Sequence, residues 1–321
     1  MSQKVFLTGA TGFVGSAVLR RLQVEGRDVI AAVRMGSAEL PAPVRIVPFK
    51  SFEHGNEWGG ALSECDVVVH SAARVHVMND TESDPLAAFR KVNVEGTLAL
   101  ARQAISAGVK RFVYISSIKV NGEGTKPGKP YTADDVPMPQ DPYGVSKMEA
   151  EVALRKLAHE SGLEVVIIRP VLVYGPGVKA NFLNMMRWLD RGVPLPFGAI
   201  DNRRSLVALD NLVDLVVTCI DHPAAANQTF LVSDGEDLST TALLRRMAQA
   251  LGKSARLLPV PAWVLSAGAK SLGKAALSQR LCGSLQVDIL KTRELLGWQP
   301  PVNVDAALSA AARHYQENNK K

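Results

Sequence analysis

Cysteine is scarce in this chain: three in 321 residues, Cys65, Cys219 and Cys282. They are odd in number, far apart and outside any CxxC spacing, which excludes a disulfide framework and a cysteine-rich zinc site and leaves them as reduced structural thiols. Aromatic residues make up 6%, and no basic run is interleaved with them, so nothing points to nucleic acid. No apolar run approaches the roughly 18 residues of a membrane-spanning helix. The start, Met1-Ser2-Gln3-Lys4, runs into a short apolar strand without the apolar stretch and cleavage site of a signal peptide. The expected location is therefore the cytoplasm. His70 and His76 lack metal-ligand spacing and read as satisfied structural histidines, and Lys320-Lys321 reads as a frayed tail.

What is present is an ordinary globular composition, 47% hydrophobic and 21% charged, which excludes disordered, collagenous and coiled-coil chains. Lys and Arg number 37 against 31 acidic residues, a net charge of +6. That excess suits a phosphate-bearing ligand or a solvated surface equally.

The first half alternates strand-like runs at Lys4–Thr8, Val29–Val33, Val44–Val47, Asp66–His70, Arg111–Ser116 and Glu164–Arg169 with helical patterns at Phe13–Glu25, Pro85–Ala107 and Tyr143–Glu160. Strands that are apolar throughout belong to a parallel sheet covered on both faces, so the fold class is α/β, a doubly wound parallel sheet of Rossmann type. Beyond Arg169-Pro170, Gly and Pro become frequent and helices dominate, at Asn181–Asp190, Asp210–His222, Ser239–Leu251 and Asp305–Asn318. Residues 1–170 are read as a dinucleotide-binding domain. Residues 171–321 are read as a smaller, mostly helical substrate-binding part, with some segments returning to the first domain.

Between the first strand and first helix lies Thr8-Gly9-Ala10-Thr11-Gly12-Phe13-Val14-Gly15. In a GxxGxxG at this junction one glycine permits the turn, another lets backbone approach a pyrophosphate, and a third lets helix and strand pack closely. The helix N-terminus supplies N–H groups and positive dipole. The second strand ends at Arg34, where a carboxylate would read the ribose 2′-OH of NAD(H). An Arg there accommodates a 2′-phosphate, so NADP(H) is favoured, with NAD(H) the alternative.

Tyr143 and Lys147 stand four apart on one helical face, behind the helix-start signal Asp141-Pro142. A phenol is a poor acid at neutral pH, but an ammonium and a helix N-terminus favour phenolate, so the expected shift of Tyr143 is downward. The fifth strand ends at Tyr114-Ile115-Ser116-Ser117, where a hydroxyl could point into the ligand crevice.

Together these residues resemble the extended short-chain dehydrogenase/reductases, the NAD(P)-dependent epimerase/dehydratase family to which UDP-glucose 4-epimerase belongs. The resemblance runs through TGATGFVG at 8–15, DVVVHSAA at 66–73, NVEGT at 93–97, SSIKVNG at 116–122, YGVSK at 143–147, RPVLVYGPG at 169–177 and LGWQP at 296–300. It implies Ser117, Tyr143 and Lys147 as the catalytic set. It also implies cofactor contacts from Gly9, Thr11, Gly12, Phe13, Val14, Gly15, Arg34, Ala72, Ala73, Asn93, Tyr143, Lys147 and Pro170. Ser117, Asn181 and Arg204 match positions that hold the substrate, the last two its diphosphate or uridine, where the alternatives are a helix N-cap for Asn181 and a solvated charge for Arg204. No metal is implied. A homodimer through the helices around Pro85–Ala107 and Tyr143–Glu160 is.

Some positions depart from the family pattern. Ile118-Lys119 stands where sugar-nucleotide 4,6-dehydratases carry Asp-Glu, which argues against dehydration. Asn121 replaces a usual tyrosine and Leu172 an asparagine near the substrate, and the acidic residue often seen after the third strand has no obvious counterpart around Phe49–Ser51. The resemblance and Arg34 favour a 4-ketoreductase of a UDP-4-keto-6-deoxy-N-acetylhexosamine in surface polysaccharide synthesis. A UDP-sugar 4-epimerase comes second and reduction of a non-sugar ketone third. The alternative of another class is a non-enzymatic NADP(H)-binding redox sensor, a kind of protein that commonly loses the Ser/Tyr/Lys set kept here.

Overall fold

The structure, a computed structural model, describes residues 3–37, 40, 44–52, 55–75, 84–271, 273 and 275–319. His76 and Lys320-Lys321 lie outside the described residues. In chain order the first half contains β1 (Val5–Thr8), α1 (Phe13–Val24), β2 (Val29–Arg34), β3 (Arg45–Phe49), α2 (Gly59–Leu62), β4 (Val67–His70), α3 (Pro85–Arg90), α4 (Thr97–Ser106), β5 (Arg111–Ile115), α5 (Pro142–Ser161) and β6 (Glu164–Pro170). The second half contains β7 (Leu172–Tyr174), α6 (Ala180–Asp190), β8 (Arg204–Ala208), α7 (Leu209–Asp221), β9 (Thr229–Val232), β10 (Asp237–Leu238), α8 (Thr240–Ala250), α9 (Ala262–Ser271), α10 (Ala275–Cys282), α11 (Leu290–Leu296) and α12 (Val304–Asn319).

Seven strands pair in parallel in the order β3-β2-β1-β4-β5-β6-β9. The apolar strands are covered on both sides, and successive residues point to opposite faces. Val5, Leu7, Val67, Val69 and Val113 pack toward α1 and α7, whereas Phe6, Val68, Phe112 and Tyr114 pack toward α4 and α5. This is the doubly wound Rossmann arrangement that the unbroken apolar runs imply. Its strand order reverses between β1 and β4, and the crevice beyond their carboxyl ends is where such sheets take ligands.

The expected helix over Pro85–Ala107 is interrupted. Between α3 and α4, residues Lys91–Gly96 form a wider π-turn, and such turns concentrate at functional sites. The smaller unit is not purely helical either: β7 runs parallel to β8, and β8 antiparallel to β10. A separate core of Tyr174, Phe182, Met186, Leu244, Leu308 and their neighbours fills the space among α6, α8 and α12. The chain returns to the large sheet through α7, which packs on α1, and through β9. Residues 284–288 lie beside Tyr131 on one side and Arg204 on the other, joining the two units across the cleft.

Arg111 at the start of β5 fastens one of these returns. Its Nη1 donates to the carbonyls of Cys219, Ile220 and His222 at 2.9, 2.8 and 3.0 Å, satisfying the C-terminus of α7, and its Nε donates to Glu164 at 2.8 Å. Hydrogen bonds from a charged donor are worth roughly 1.5–3 kcal/mol each. Arg111→Ala should therefore destabilise the protein by about 2–3 kcal/mol, read as a lower denaturant midpoint at unchanged slope. An unchanged midpoint would show that α7 is held by packing alone.

Candidate active site

The glycine loop is shaped by close approach. Gly9 holds φ at +75°, and a Cβ there would sit 2.7 Å from the Ala72 nitrogen, so the loops after β1 and β4 touch. A Cβ on Gly15 would lie 2.1 Å from the Gly9 carbonyl oxygen, which makes glycine the residue that lets α1 start against the strand end. Gly12 is the N-cap of α1 without any side-chain cap, so the first turn presents backbone N–H groups at the crevice. Thr11 and Gly12 are exposed, Phe13 and Val14 half-buried, and Ala72 and Ala73 half-buried across the crevice. Pro170 is buried at the end of β6, and Arg34 ends β2 with its side chain exposed.

A buried column of hydrogen bonds runs behind this loop. Thr97 Oγ1 donates its single hydrogen to the Asn93 carbonyl at 2.7 Å, so it accepts from His70 Nε2 at 2.9 Å. His70 Nδ1 then accepts from Thr8 Oγ1 at 2.7 Å, and Thr8 Oγ1 accepts from the Ala72 N–H at 3.3 Å. Burial, with the Lys147 charge adding, pushes His70 down to about 3, so the ring is neutral. His70 thus has the satisfied structural role that its lone position suggests.

Asn93, expected beside the cofactor, spends its side chain inside the protein. Its Nδ2 donates to the Arg74 carbonyl and to Ser146 Oγ, both at 3.0 Å, and its Oδ1 accepts from the Arg74 N–H at 2.8 Å. Ser146 Oγ donates onward to the Tyr143 carbonyl at 2.8 Å. The π-turn that carries Asn93 therefore splices the loop after β4 to the first turn of α5, and Asn93 acts as a positioning residue.

α5 begins where Asp141 caps it, accepting from the Gly144 N–H at 2.7 Å, with Pro142 in the first position, and ends at Gly162 in the left-handed region. Tyr143 lies in that first turn, with the Ser117 hydroxyl near enough to influence its phenol. Ser116, the neighbouring hydroxyl, turns away and donates to Glu151 Oε1 at 2.5 Å, which leaves Ser117 at the crevice. Ser117, Tyr143 and the α5 helix are brought together as the spacing implies.

The electrostatics differ from the expectation. The Tyr143 phenol is raised, not lowered: burial dominates, the Asp141 charge adds to it, and only the nearby Ser117 hydroxyl opposes. Lys147 does not reach down to the phenol. Its Nζ donates to the Ile115 carbonyl at 2.7 Å and stands 4.4 Å from the centre of the Tyr114 ring. Burial lowers Lys147 to about 7, with Glu151 opposing. Asp141 is itself pulled below its ordinary value: burial would raise it, but Lys119 and the Gly144 N–H outweigh that. Lys119 pairs with Asp141 and with Glu123, so the residue standing where dehydratases carry an acid serves here as a counter-charge.

Beneath the pair, Glu151 and Arg169, each 2% exposed, form a two-point ion pair, with Arg169 Nε to Glu151 Oε1 at 2.9 Å and Nη2 to Oε2 at 2.5 Å. Arg169 Nη1 donates to Asn121 Oδ1 at 2.9 Å, and Asn121 Nδ2 to the Thr132 carbonyl. Asn121, in the place of the family's tyrosine, is thus wholly buried. Leu172 is 48% exposed at the start of β7. The roles of Glu151 and Arg169 were not read from the sequence; the available signal was the spacing of Lys147 and Glu151, one helical turn apart.

On the substrate side, Arg204 starts β8 half-buried, donating to the Gly283 carbonyl at 3.0 Å. Burial alone lowers its pKa, with no carboxylate opposing, so it is not a solvated charge. Asn181 is exposed in the first turn of α6, whose N-cap is Lys179, so it is not a cap. Cys65 and Cys219 are buried free thiols, and burial raises Cys65 to about 11.

A nucleotide cleft beside a Ser/Tyr/Lys cluster at the switch point of a parallel sheet defines the class. The sequence profile of the NAD dependent epimerase/dehydratase family matches residues 5–233, and the chain belongs to that family. It is 48% identical to the UDP-glucose 4-epimerase of Vibrio cholerae, across 100% of this chain and 98% of the relative. It is 26% identical to the GDP-6-deoxy-D-mannose reductase of Pseudomonas aeruginosa, across 97% and 96%. A crystal structure of the UDP-glucose 4-epimerase of Thermotoga maritima with UDP-glucose shares the fold, with a TM-score of 0.79 at 24% identity over 98% of this chain and 99% of that one. The protein is thus an enzyme of the nucleotide-sugar epimerase/reductase family.

Burying Lys147 has a consequence for stability. Between about 7, its folded value, and its ordinary 10.5, the unfolded chain holds a proton that the folded chain has released. Stability therefore rises with pH across that window, and the penalty is full below it. Cofactor-free Lys147→Met should melt at a higher temperature than wild type at pH 7, with the gap narrowing toward pH 10. Equal melting at pH 7 would contradict this.

Proposed function

We propose that this enzyme is an NADPH-dependent 4-ketoreductase of a UDP-4-keto-6-deoxy-N-acetylhexosamine, working in surface polysaccharide synthesis. The observation that carries the reading is Arg34, an exposed guanidinium at the end of β2 where a carboxylate would select NAD(H). A reductase exchanges its cofactor at each turnover, and a 2′-phosphate reader suits the reducing dinucleotide.

The residues present fit a dinucleotide. The Cβ-free approach of Gly9, Gly12 and Gly15 and the uncapped start of α1 suit a pyrophosphate. When bound, the nicotinamide supplies the hydride. The chain's part is to orient and to move a proton. In this reading Tyr143 gives its phenolic proton to the sugar C4 oxygen and Ser117 donates a hydrogen bond to the same oxygen. The raised Tyr143 keeps the phenol protonated and ready to act as an acid. Lys147, held by the Ile115 carbonyl, contacts the nicotinamide ribose, and Tyr143 regains its proton from solvent. Arg204, a half-buried cation with no carboxylate paired to it among the described residues, takes the diphosphate, with Asn181 at the same end. Lys119 neutralising Asp141 leaves no free acid there for eliminating water, which agrees with reduction rather than 4,6-dehydration.

A UDP-hexose 4-epimerase is the second reading, favoured by the Vibrio relative. The redox-sensor alternative finds no support, because the named relatives are enzymes and the Ser/Tyr/Lys cluster is kept.

Titration of nucleotide-free protein with NADPH and NADH, followed by nicotinamide fluorescence, tests the carrying observation. NADPH should bind preferentially, and Arg34→Asp should weaken it by about 1–3 kcal/mol through loss of a charge-assisted contact; equal NADPH affinity in both would remove Arg34 from the argument. Tyr143→Phe should lower kcat by roughly 10²–10⁴-fold with NADPH affinity within a few-fold of wild type. Near-normal turnover would sink the assignment of Tyr143.

A further inference from the structure

Helix α9 presents an apolar face that is exposed among the described residues. Trp263 is 74% exposed and Val264 38%, and Ala267, Gly268 and Ser271 are exposed with them. These positions share one side of the helix. The half-buried side, Ala262, Leu265, Ser266 and Ala269, belongs to a hairpin with α10. Leu258, in the segment leading into the hairpin, is 51% exposed.

The stretch of sequence that carries this patch is charged with one sign. Residues 238–287 contain seven Lys and Arg and no Asp or Glu, a 50-residue stretch without an acid in a chain that has 31. Arg246 and Lys253 at α8 are engaged with Glu236, Asp305 and Asp190. Lys270 and Arg280 are exposed on the hairpin itself, and Lys274 joins them in the sequence, outside the described residues.

The hairpin is anchored. Before it, the Gly198 N–H donates to the Leu258 carbonyl at 2.8 Å and the Leu258 N–H to the Leu195 carbonyl at 2.8 Å. After it, Asn202 Nδ2 donates to the Gly283 carbonyl at 2.8 Å, and Arg204 donates to that same carbonyl. The exposed tryptophan therefore projects from a fixed base next to the substrate side of the cleft.

We propose that α9 docks the enzyme onto the surface of an anionic bilayer. A short helix with Trp and small apolar residues on one face and cations at its borders lies in the headgroup region, held by apolar burial and by attraction to anionic lipid. No described helix is long and apolar enough to cross the membrane, so the contact is interfacial and reversible. It places the sugar-nucleotide end of the cleft at the membrane surface. The claim is independent of which sugar reaction the enzyme performs.

Cosedimentation of the full chain with sucrose-loaded vesicles tests it. Wild type should partition at least about tenfold more strongly onto vesicles with about 30 mol% phosphatidylglycerol than onto pure phosphatidylcholine, and should be released by high salt. Trp263→Ser with Val264→Ser should lose about tenfold in partition while turnover of soluble substrate stays unchanged. Both side chains are exposed, so the fold is not at stake. Brominated lipid should quench tryptophan emission in wild type and not in Trp263→Phe. Absence of binding, equal binding to neutral vesicles, or unchanged binding by the double variant would overturn the proposal. So would a wild-type oligomer that the double variant dissociates, with no lipid binding, since the face would then belong to a second copy.

Discussion

A carboxylate buried beneath the carboxyl edge of the sheet, Glu151, fixes the geometry of the site above it. A buried charge must be fully satisfied or the fold does not hold. Glu151 meets that demand with Ser116 from the end of β5 and two donors of Arg169 from β6. Arg169 in turn reaches Asn121, beyond the strand-end serines. Because Ser116 is consumed below, Ser117 is left above. One turn before Glu151, Lys147 is fixed between the Ile115 carbonyl and the Tyr114 ring. One buried anion thus sets the register of β5, β6 and α5 against each other.

The proton-active groups are in turn strained electrostatically rather than sterically. Tyr143 is raised and Lys147 lowered, each chiefly by burial. Neither charged form is favoured before a ligand arrives: the phenol keeps its proton, and the ammonium gives its proton up more readily than an exposed lysine would. The stability lost by burying a lysine is the usual cost of a preorganised site. Asp141 serves two ends: it caps α5 and pairs with Lys119, and its charge still bears on Tyr143.

Much of the fold was legible because its signals are local. Unbroken apolar runs announce strands covered on both faces, and GxxGxxG announces a close approach that the Gly9 and Gly15 contacts explain atom by atom. The short strands β7, β8 and β10 were not read, since two to five residues carry too little periodicity to stand out. Nor was the π-turn at Lys91–Gly96, where one extra residue per turn leaves the apolar pattern almost intact. At the site, the order of Ser117, Tyr143 and Lys147 along the chain placed them together. The direction of the Tyr143 shift was misjudged because it depends on burial and on Asp141 rather than on the YxxxK spacing. The internal partners of Asn93 are not legible in the sequence, because position along the chain cannot tell a side chain facing the crevice from one spliced behind it.

The central claim is net reduction at the sugar C4 by NADPH. It is tested most directly by supplying the enzyme with NADPH deuterated at nicotinamide C4 and a UDP-4-keto-6-deoxy-N-acetylhexosamine, and following the product by NMR. The account predicts one deuterium at C4 of the product sugar for each NADP⁺ formed. Interconversion of UDP-hexoses at C4 with no net consumption of NADPH, and no reduction of the keto sugar, would contradict it.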